Sequence, residues 1–508
     1  MSNKYDVIVV GAGNAGLVAG ATTAKAGLNT LVLEKHNVPG GAASSFKRGR
    51  FEIEPSLHEL CSVGNKEKPG EIYNIFSRLG AKVDWRYEFS TFRAVSPTFD
   101  VKLRAGKENF IEDLEKVAPN SRGAVEAIFD IVEGNNKALE YVDKKKGNPN
   151  PLVMALKHAD FLRSASHSAE EVEKALGMSE KARDIFNNYW CYLGIPTDEL
   201  NALHYFTMVT SYVNMGAAMP YKRSHEMSCA LEKVILDNGG QVWYNSEVVE
   251  FIYGTQGSVD GVKLADGKKL YAKQIISNVI PHNVYAMSKS KCVPDRELKL
   301  ANARTFGISF ITVYLGLDAS KEELGITDYT VFKMSESNPR KQYEAIKADY
   351  ENAMYYVVNC LNVAIPDCTP EGTCSLFLTI PMFGNQLPED LTAENYKEFK
   401  NRIAKKYIRD YEEYFNVDIM SHIEEIEIAT PVTFARYLGT PEGEVYGYET
   451  NGWDNIINRI QSKQKDFTVK NLTYCGGFDS RGDGYSSAYI NGEQAGKIAI
   501  NRIKGGAE

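Results

Sequence analysis

DVIVVGAGNAG, residues 6–16, is a short β-branched run that ends in a glycine-rich turn. Such a run, here Asp6–Val10, is typical of a buried parallel strand. The alanine-rich sequence LVAGATTAKAG that follows favours a helix, and a second apolar strand, Thr30–Leu33, ends at Glu34. Within about 30 residues the chain thus has a strand, a glycine turn, a helix, a second strand and an acid. This order is the context of a dinucleotide fingerprint, so we predict a bound dinucleotide.

The residues of this turn have separate physical roles. Gly11 permits the tight turn, Gly13 lets the backbone approach a pyrophosphate, and Gly16 lets the helix pack closely on the strand. The free N–H groups and positive dipole end of the helix attract the pyrophosphate. Glu34 can accept hydrogen bonds from ribose hydroxyls. The predicted nucleotide contacts of the turn are Gly11, Gly13, Asn14, Ala15 and Gly16.

A second pair of glycines indicates which dinucleotide is bound. The sequence VPGGAASSF at residues 38–46 contains Gly40 and Gly41, which give the backbone a second close approach beside the phosphates. A transiently bound NAD has no need of this second contact, whereas a permanently bound FAD does, so we predict FAD. The predicted contacts of this region are Glu34, Lys35, Gly40, Gly41 and Ala42.

Length and charge exclude several classes of function. The 508 residues suggest two or three domains at about 150 residues each. With 58 Lys and Arg against 66 Asp and Glu, the net charge is −8, which argues against a nucleic-acid partner because phosphate backbones demand clustered cations. The 22 Phe, 29 Tyr and 4 Trp are enough to build large cores, which excludes a disordered chain.

Cysteine spacing and hydropathy bear on the compartment. The eight cysteines are scattered, with no C-x-x-C pair, so we expect reduced thiols and no metal site. The N-terminus runs straight into a strand pattern, without the features of a signal peptide. No apolar run reaches the length of about 18 residues that a transmembrane helix needs. We predict a cytoplasmic protein and leave a peripheral membrane contact open.

With these motifs the sequence resembles the flavoproteins with two dinucleotide-binding domains, in the amine-oxidase-like superfamily. It is most similar to their phytoene desaturase, carotenoid isomerase and retinol saturase group, over nearly the whole chain. In the N-terminal part the resemblance is carried by Glu34-Lys35 with Pro39-Gly40-Gly41 and by Phe51–Glu54. In the middle it is carried by Gly239–Val242 and Ser246–Val249 as one continuing strand, by the hairpin Val262–Gly267 and by the returning strand Ile275–Asn278. Near the C-terminus it is carried by Thr430-Pro431, by Thr440–Gly443 with Tyr446-Gly447, and by Cys475–Gly477 with Gly482 and Gly484.

This resemblance implies an α/β fold with a Rossmann-type FAD-binding domain of the glutathione-reductase-like variant, built from three chain segments. We place these segments at 1–80, 221–300 and 430–508. The intervening segments, 81–220 and 301–429, would form an interleaved α+β substrate domain.

The resemblance also implies further contacts with FAD. The backbone of Val248 would meet the adenine side, and Asn278 at the end of the returning strand is a predicted contact. The C-terminal segment would close over the isoalloxazine and ribityl chain. Relatives often carry an acid after its glycine, whereas here that place holds Gly477, with Asp479 two residues later. The predicted contacts of this segment are Gly476, Gly477, Asp479, Gly484 and Tyr485.

Five residues are candidates for the chemistry. His58 and Glu59 follow the strand that leads toward the flavin ring in this fold, and a His beside a carboxylate can donate or accept a proton near neutral pH. Arg223 and His225 stand where relatives have glycines at the flavin–substrate junction, and could bind a carboxylate or carbonyl. Tyr437 lies in a segment that the family places near the active site. A structural or surface role is the alternative for each residue.

Aromatic side chains indicate where a substrate would bind. Isoalloxazine performs hydride or electron transfer itself, so the protein needs a tunnel of apolar and aromatic side chains for an apolar substrate. The stretch Ile185–Leu193 is dense in aromatics, and His204–Phe206, Met208 and Tyr212 follow it. Ordinary helix packing is the alternative interpretation of these residues.

The first functional hypothesis is an FAD-dependent oxidoreductase that acts on carbon–carbon bonds of an apolar unsaturated substrate, such as a carotenoid, retinoid, terpenoid, steroid or fatty acid. Desaturation, saturation and cis–trans isomerisation differ in where the electrons come from and go, and the sequence leaves the three open. A flavin amine oxidase is the second hypothesis. A non-enzymatic lipid- or prenyl-binding protein of the same fold is the third. The electron donor or acceptor and the oligomeric state also stay open.

Overall fold

In the residues that it describes, the structure, a computed structural model, contains two seven-stranded sheets, two short two-stranded sheets and many helices. Gly482, a glycine of the C-terminal motif, lies outside the residues that the structure describes. The described residues are 4–88, 90–145, 148–254, 257–289, 292–450, 452–459, 469–479 and 484–505.

Both large sheets draw their strands from separated parts of the chain. The strands, numbered in chain order, are β1 Lys4–Val10, β2 Thr30–Leu33, β3 Phe46–Arg48, β4 Phe51–Ile53, β5 Trp85–Glu88, β6 Ser90–Val95, β7 Asp100–Arg104, β8 Ala217–Pro220, β9 Gln241–Trp243, β10 Val248–Tyr253, β11 Val259–Leu264, β12 Lys269–Ser277, β13 Ser309–Leu317, β14 Thr330–Met334, β15 Tyr355–Cys360, β16 Cys374–Met382, β17 Ile423–Ala429 and β18 Leu472–Tyr474.

The first large sheet has a parallel core. β1 pairs in parallel with β2 and β12, while β9 and β18 add parallel strands beyond them. β10 and β11 extend the sheet as an antiparallel pair beside the first half of β12. Parallel pairing brings the carboxyl ends of the central strands to one edge, where the glycine-rich turn begins. The predicted Rossmann-like α/β arrangement is confirmed.

One predicted strand of this sheet is wrong. We expected residues 239–249 to form one continuing strand, but β9 lies beside β2 at one edge and β10 lies at the opposite edge. Asn245, with φ +50°, breaks the extended conformation between them. Its N–H donates to the His36 carbonyl at 2.9 Å, and the Ser246 N–H donates to the Glu34 carbonyl at 2.8 Å. The segment therefore crosses the carboxyl edge of the sheet beside Glu34.

The second large sheet is mixed and separate from the first. Its order is β17-β13-β16-β15-β14-β6-β7, antiparallel except for the parallel pair β14–β6. Its strands lie within 81–220 and 301–429, whereas those of the first sheet lie within 1–80, 221–300 and 430–508. The domain boundaries themselves stay predictions.

Helices cover the first sheet and fill the stretch between β7 and β8, where we predicted mostly helix. The first helix, Asn14–Lys25, packs between the helices Ser224–Asp237 and Tyr485–Lys504. The helices are α1 Asn14–Lys25, α2 Glu71–Leu79, α3 Lys107–Val117, α4 Arg122–Lys144, α5 Pro151–Lys157, α6 Ala159–Ser166, α7 Ala169–Ala175, α8 Glu180–Phe186, α9 Ala202–Met215, α10 Ser224–Asp237, α11 Pro281–Ala286, α12 Asp295–Ala303, α13 Pro339–Asp349, α14 Leu361–Ala364, α15 Tyr396–Phe415, α16 Pro431–Leu438 and α17 Tyr485–Lys504, with 3₁₀ helices at Asn187–Tyr192, Gly384–Gln386, Met420–His422 and Gly452–Asp454.

Three structural findings concern membrane-spanning helices, cysteines and metal-binding groups. Within the described ranges, no helix combines the length and apolarity needed to cross a bilayer. The eight cysteines all lie in these ranges as thiols. No group of three or more His, Cys, Asp or Glu side chains among the described residues is arranged to hold a metal ion.

Candidate dinucleotide and substrate site

A cavity of about 1360 Å³ is lined by residues from both large sheets. This volume exceeds the roughly 300–1,000 Å³ of a typical single-ligand pocket, so a cofactor and a second molecule could share it. Gly16, Gly40 and Asp479 lie outside its lining. The predicted nucleotide contacts that line it are Gly11, Gly13, Asn14, Ala15, Glu34, Lys35, Gly41, Ala42, Val248, Asn278, Gly476, Gly477, Gly484 and Tyr485.

The glycine-rich turn after β1 presents bare backbone to this cavity. Gly11 has φ +96°, and its N–H donates to the Leu33 carbonyl at 2.8 Å. A Cβ on Gly13 would lie 2.6 Å from Nδ2 of Asn278. α1 begins at Asn14 with no acidic residue in its first turn, so no carboxylate competes for its free N–H groups. These features suit a pyrophosphate.

The second glycine pair lies directly against the first turn. The Gly40 N–H donates to the Ala12 carbonyl at 2.8 Å, and Gly13 and Gly40 form an isolated parallel bridge. Gly40 and Gly41 have φ +121° and +59°, and a Cβ on Gly41 would come within 3.3 Å of the Gly13 Cα. The two turns therefore form one continuous backbone cradle.

Glu34 lies at the end of β2 with a buried carboxylate. Its Oε2 accepts a hydrogen bond from the Ala12 N–H at 2.7 Å, and its Oε1 accepts one from the His36 N–H at 2.9 Å. Glu34 also lines the cavity. Its side chain is thus held beside the glycine turn, where a ribose would be bound.

Tyr437 lies beside this nucleotide region, in contact with His36. His36 Nε2 is 3.0 Å from the Tyr437 carbonyl, and the two rings are 5.4 Å apart. Lys35 Nζ donates to the Arg436 carbonyl at 3.2 Å. The Tyr437 side chain is 53% exposed at the cavity rim. This position suits contact with a nucleotide better than the catalytic role that we expected.

The C-terminal glycine motif brings a second helix N-terminus to the cavity. Gly484 precedes α17, and the hydroxyl of Tyr485 donates to the Ala42 carbonyl at 2.9 Å. The amide of Asn491 donates to the Gly476 carbonyl at 3.2 Å. The Asp479 N–H also donates to the Gly476 carbonyl, at 3.2 Å, within the turn that precedes α17.

Glu54 positions the turn that carries His58 and Glu59. The buried carboxylate accepts hydrogen bonds from the Ser224 N–H and hydroxyl, both at 2.8 Å, and from the Leu57 N–H at 3.0 Å. Burial raises the pKa of Glu54. This acid therefore ties β4 and the following turn to the start of α10.

His58 lies between two aromatic rings in the cavity wall. Its ring stacks against Tyr192 at 5.7 Å and Phe377 at 5.4 Å, and Nε2 is 2.8 Å from the Thr379 hydroxyl. Burial lowers the pKa of His58 to about 4. The imidazole is therefore neutral at neutral pH.

Glu59 lines the same cavity but has different partners. Its Oε1 accepts a hydrogen bond from the Tyr192 hydroxyl at 3.2 Å, and its Oε2 accepts a longer one from the Thr330 hydroxyl at 3.4 Å. Burial raises the pKa of Glu59 to about 8. Although His58 and Glu59 are adjacent in sequence, each is thus held uncharged at neutral pH in its own environment.

Arg223 and His225 lie outside the cavity lining, which differs from the flavin–substrate junction that we expected. The Arg223 guanidinium is buried and donates to the carbonyls of Tyr221, at 2.8 Å, and Cys368. It therefore holds two backbone segments together. His225 is half-buried in the first turn of α10.

The predicted aromatic stretch divides between cavity and core. Tyr192, Leu193, His204, Met208 and Tyr212 line the cavity, whereas the larger part of the stretch is buried in packing. Sequence reasoning missed the residues that the second sheet contributes, because strands distant in the chain bring them to the site. Those residues include Phe310, Thr312, Tyr314, Thr379 and, from β17, Glu427, Ile428 and Ala429; Glu444 and Tyr446 join them from the segment after α16.

Known proteins resemble this chain over nearly its full length. Residues 9–76 match a family described as an NAD(P)-binding Rossmann-like domain. The all-trans-retinol 13,14-reductase of Danio rerio is 24% identical, covering 98% of this chain and 86% of the relative. A 4,4'-diapolycopene oxygenase of Methylomonas is 24% identical, covering 97% of each chain. The chloroplastic prolycopene isomerase of Daucus carota is 23% identical, covering 88% and 72%.

Solved structures agree on the fold. An oxidoreductase from Methanosarcina mazei superposes with a TM-score of 0.65 at 16% identity, covering 97% of this chain and all of the other. The cyclohexylamine oxidase of Brevibacterium oxydans superposes with a TM-score of 0.62 at 13% identity, covering 98% and 99%. The chain has the fold of these proteins and is, over most of its length, a distant homologue of retinol reductases and of carotenoid desaturases and isomerases.

Proposed function

We propose that this protein is an FAD-dependent oxidoreductase or isomerase that acts on carbon–carbon double bonds of an apolar unsaturated lipid. The observation that carries the proposal is a single cavity that joins the glycine cradle to an aromatic region around His58. The relatives whose names include retinol and carotenoid compounds support the same substrate class.

The cavity has the groups that FAD needs. The bare backbone at Gly13 and Gly41 and the N-terminus of α1 would hold the pyrophosphate, and Glu34 would hold a ribose. Val248 would meet the adenine, and the N-terminus of α17 would meet the ribityl chain. Bound FAD supplies hydride or electron transfer at this site.

The remaining lining suits an uncharged substrate. Tyr192, Met208, Tyr212 and Phe310 offer aromatic and apolar surface, and they would exclude water from the reacting bond. His58 and Glu59 add polar groups that are uncharged at neutral pH. Neither a carboxylate nor an ammonium group on the substrate would find an opposite charge on these two residues.

The test begins with the visible spectrum of the purified protein before and after dithionite and NAD(P)H. We expect flavin bands that dithionite bleaches, and then conversion of all-trans-retinol, phytoene or prolycopene in a chromatographic screen with the oxidised and reduced protein. Peroxide release from cyclohexylamine would instead indicate an amine oxidase. A colourless protein that takes up no added FAD would refute the enzymatic proposal and leave a lipid-binding protein.

A further inference from the structure

Tyr192 connects the cavity to a buried acid. It ends the 3₁₀ helix Asn187–Tyr192 and lines the cavity, and its side chain is largely buried. Its hydroxyl donates to Oε1 of Glu59 at 3.2 Å. The ring is held by His58, whose centroid is 5.7 Å away, and by Phe332 at 5.8 Å. Tyr192 therefore lines the cavity and contacts a buried carboxyl group through the same side chain.

We propose that Tyr192, with Glu59 behind it as a proton store, transfers the proton that accompanies hydride transfer at the substrate double bond. The inference rests on the proposed function. In the saturating direction bound reduced flavin would supply the hydride to one carbon of the double bond, and Tyr192 would give its hydroxyl proton to the other carbon as the π bond breaks. The Tyr192 O–H bond is re-formed with the proton of the Glu59 carboxyl, which becomes a carboxylate. Desaturation reverses each step.

The hydrogen bonds behind Glu59 place its proton on the side of Tyr192. Asn359 Nδ2 donates to the Thr330 hydroxyl oxygen at 2.8 Å, so the Thr330 hydrogen is available for Oε2 of Glu59 at 3.4 Å. Oε2 therefore acts as an acceptor. The acidic hydrogen belongs on Oε1, which lies 3.2 Å from the Tyr192 oxygen. The Tyr189 hydroxyl, which donates to the Thr91 carbonyl at 3.0 Å, is a second hydrogen-bonding neighbour of Glu59. With Glu59 protonated on Oε1, this hydrogen bond reverses: the carboxyl donates to the Tyr192 oxygen, and the hydroxyl hydrogen of Tyr192 is released for another acceptor.

The surroundings of Glu59 keep it protonated at neutral pH. Burial raises its pKa to about 8, and the negative charge of Glu88 acts in the same direction. Burial also raises the pKa values of the surrounding tyrosines, which stay neutral. The titratable groups around Glu59 are Tyr189, Cys191 and Tyr192 from the 3₁₀ helix, Tyr212 from α9, Tyr329 directly before β14, Glu88 from β5, and His58 and Cys61 from its own turn.

His58 is better suited to positioning Tyr192 than to donating the proton. Its Nε2 is engaged by Thr379 at 2.8 Å, and burial lowers its pKa to about 4, so it carries no spare proton at neutral pH. Its ring lies between Tyr192 and Phe377. This stacking holds the plane of the Tyr192 ring and thereby the direction of its hydroxyl.

The first experiment needs no substrate. Infrared titration of the flavin-loaded protein from about pH 6 to about pH 10 should reveal a protonated carboxyl that ionises near pH 8. The band should be missing in Glu59→Gln and should shift in Tyr192→Phe, which removes the hydrogen-bond partner. A carboxyl at position 59 that is already ionised at neutral pH would overturn the relay.

The second experiment follows conversion of all-trans-retinol in H₂O and D₂O. Tyr192→Phe should slow turnover about 10²-fold and abolish the solvent isotope effect, while the flavin spectrum and retinol affinity are kept. Tyr205→Phe is the matched control, because its buried hydroxyl bonds to the Phe186 carbonyl and does not line the cavity. Glu59→Gln should remove the pH dependence of turnover, and Glu59→Asp should restore part of it.

The outcomes separate the two proposals. If wild-type protein converts retinol and Tyr192→Phe retains the rate and the isotope effect, the relay is wrong and the proposed function stands. If the wild type binds no flavin and converts none of the three lipids in the screen, the proposed function falls and the relay falls with it. Loss of turnover in the Tyr205→Phe control to the same extent as in Tyr192→Phe would reduce Tyr192 to a structural residue and overturn the relay.

Discussion

Gly16 has no room for even one methyl group. A Cβ at this position would lie 1.9 Å from the Gly11 carbonyl oxygen, and one at Gly40 would lie 2.3 Å from the Ala43 carbonyl oxygen. Both obstacles are backbone atoms, so no side-chain rotation relieves them. Glycine at these two positions is therefore required by the closeness of two chain segments, and the nucleotide cradle depends on it.

Gly16→Ala should lower the flavin affinity about tenfold or more, because the turn must open to admit the methyl group. The measurement is flavin absorbance per protein after dialysis, and the FAD dissociation constant of the stripped protein. Gly123→Ala is the control, since a Cβ there meets nothing within 4 Å. Equal flavin content in the two variants would contradict the close packing at Gly16.

Arg223→Gly should lower the free energy of unfolding by about 3 kcal/mol, because two carbonyls lose a charged donor. Glycine suits the local φ of +66°, so backbone strain does not contribute to the loss. Urea unfolding measures the change. If stability is kept but lipid affinity falls, Arg223 has the substrate role that we first expected.

At the scale of elements, α7 packs on the 3₁₀ helix Asn187–Tyr192 through a buried acid. Glu173 accepts a hydrogen bond from Asn187 Nδ2 at 2.9 Å, and its side chain is fully buried. Burial raises the pKa of Glu173 to about 8, well above its ordinary 4.5. Between about pH 4.5 and pH 8 the folded protein therefore holds a proton on Glu173 that the unfolded chain has released. The free energy of unfolding falls accordingly as pH rises through this range.

Glu173→Gln should stabilise the protein at pH 7 by up to about 3 kcal/mol, because the neutral amide keeps the acceptor for Asn187 without the protonation cost. Near pH 5 the gain should shrink to about 1 kcal/mol or less, since pH 5 lies only slightly above the ordinary pKa of 4.5 and keeping the buried carboxyl protonated then costs little. Urea unfolding of both proteins at the two pH values measures it. The same difference at both pH values would show that Glu173 does not titrate as proposed.

At the scale of the molecule, the cavity is lined by parts of the chain that are far apart in sequence. Tyr485 bonds to the Ala42 carbonyl across 443 positions, and His58 bonds to Thr379 across 321. Ligands that fill this cavity would contact parts of the chain from both large sheets. Ligand binding should thus stabilise the whole fold rather than one domain.

FAD should raise the melting temperature of the stripped protein more than FMN does, because FMN lacks the adenosine half that Glu34 and Val248 would hold. At a concentration of about 100 times the dissociation constant, FAD should add about 2.7 kcal/mol to the unfolding free energy. Thermal unfolding with each nucleotide at equal concentration measures the difference. Equal shifts for FAD and FMN would mean that the adenosine region contributes nothing.

Short-range sequence patterns were sufficient to predict the strand, the glycine-rich turn and the helix of the nucleotide region. The β-branched run Asp6–Val10, the glycines after it and the acid Glu34 each report a local backbone need, and the structure forms the expected strand, turn and helix there. Backbone sterics and strand periodicity act over a few residues, so these features can be read directly from the order of amino acids.

Tertiary structure alone decided the contacts and the charge states of the candidate proton-transfer residues. Tyr192 meets Glu59 across 133 positions, and the arrangement of both around His58 depends on the second sheet. Tyr437 beside His36 and Arg223 on its two carbonyls likewise result from long-range packing. Burial, which sets whether a His or Glu is charged, is a property of the assembled core, so neither the partners of these residues nor their protonation follow from local sequence.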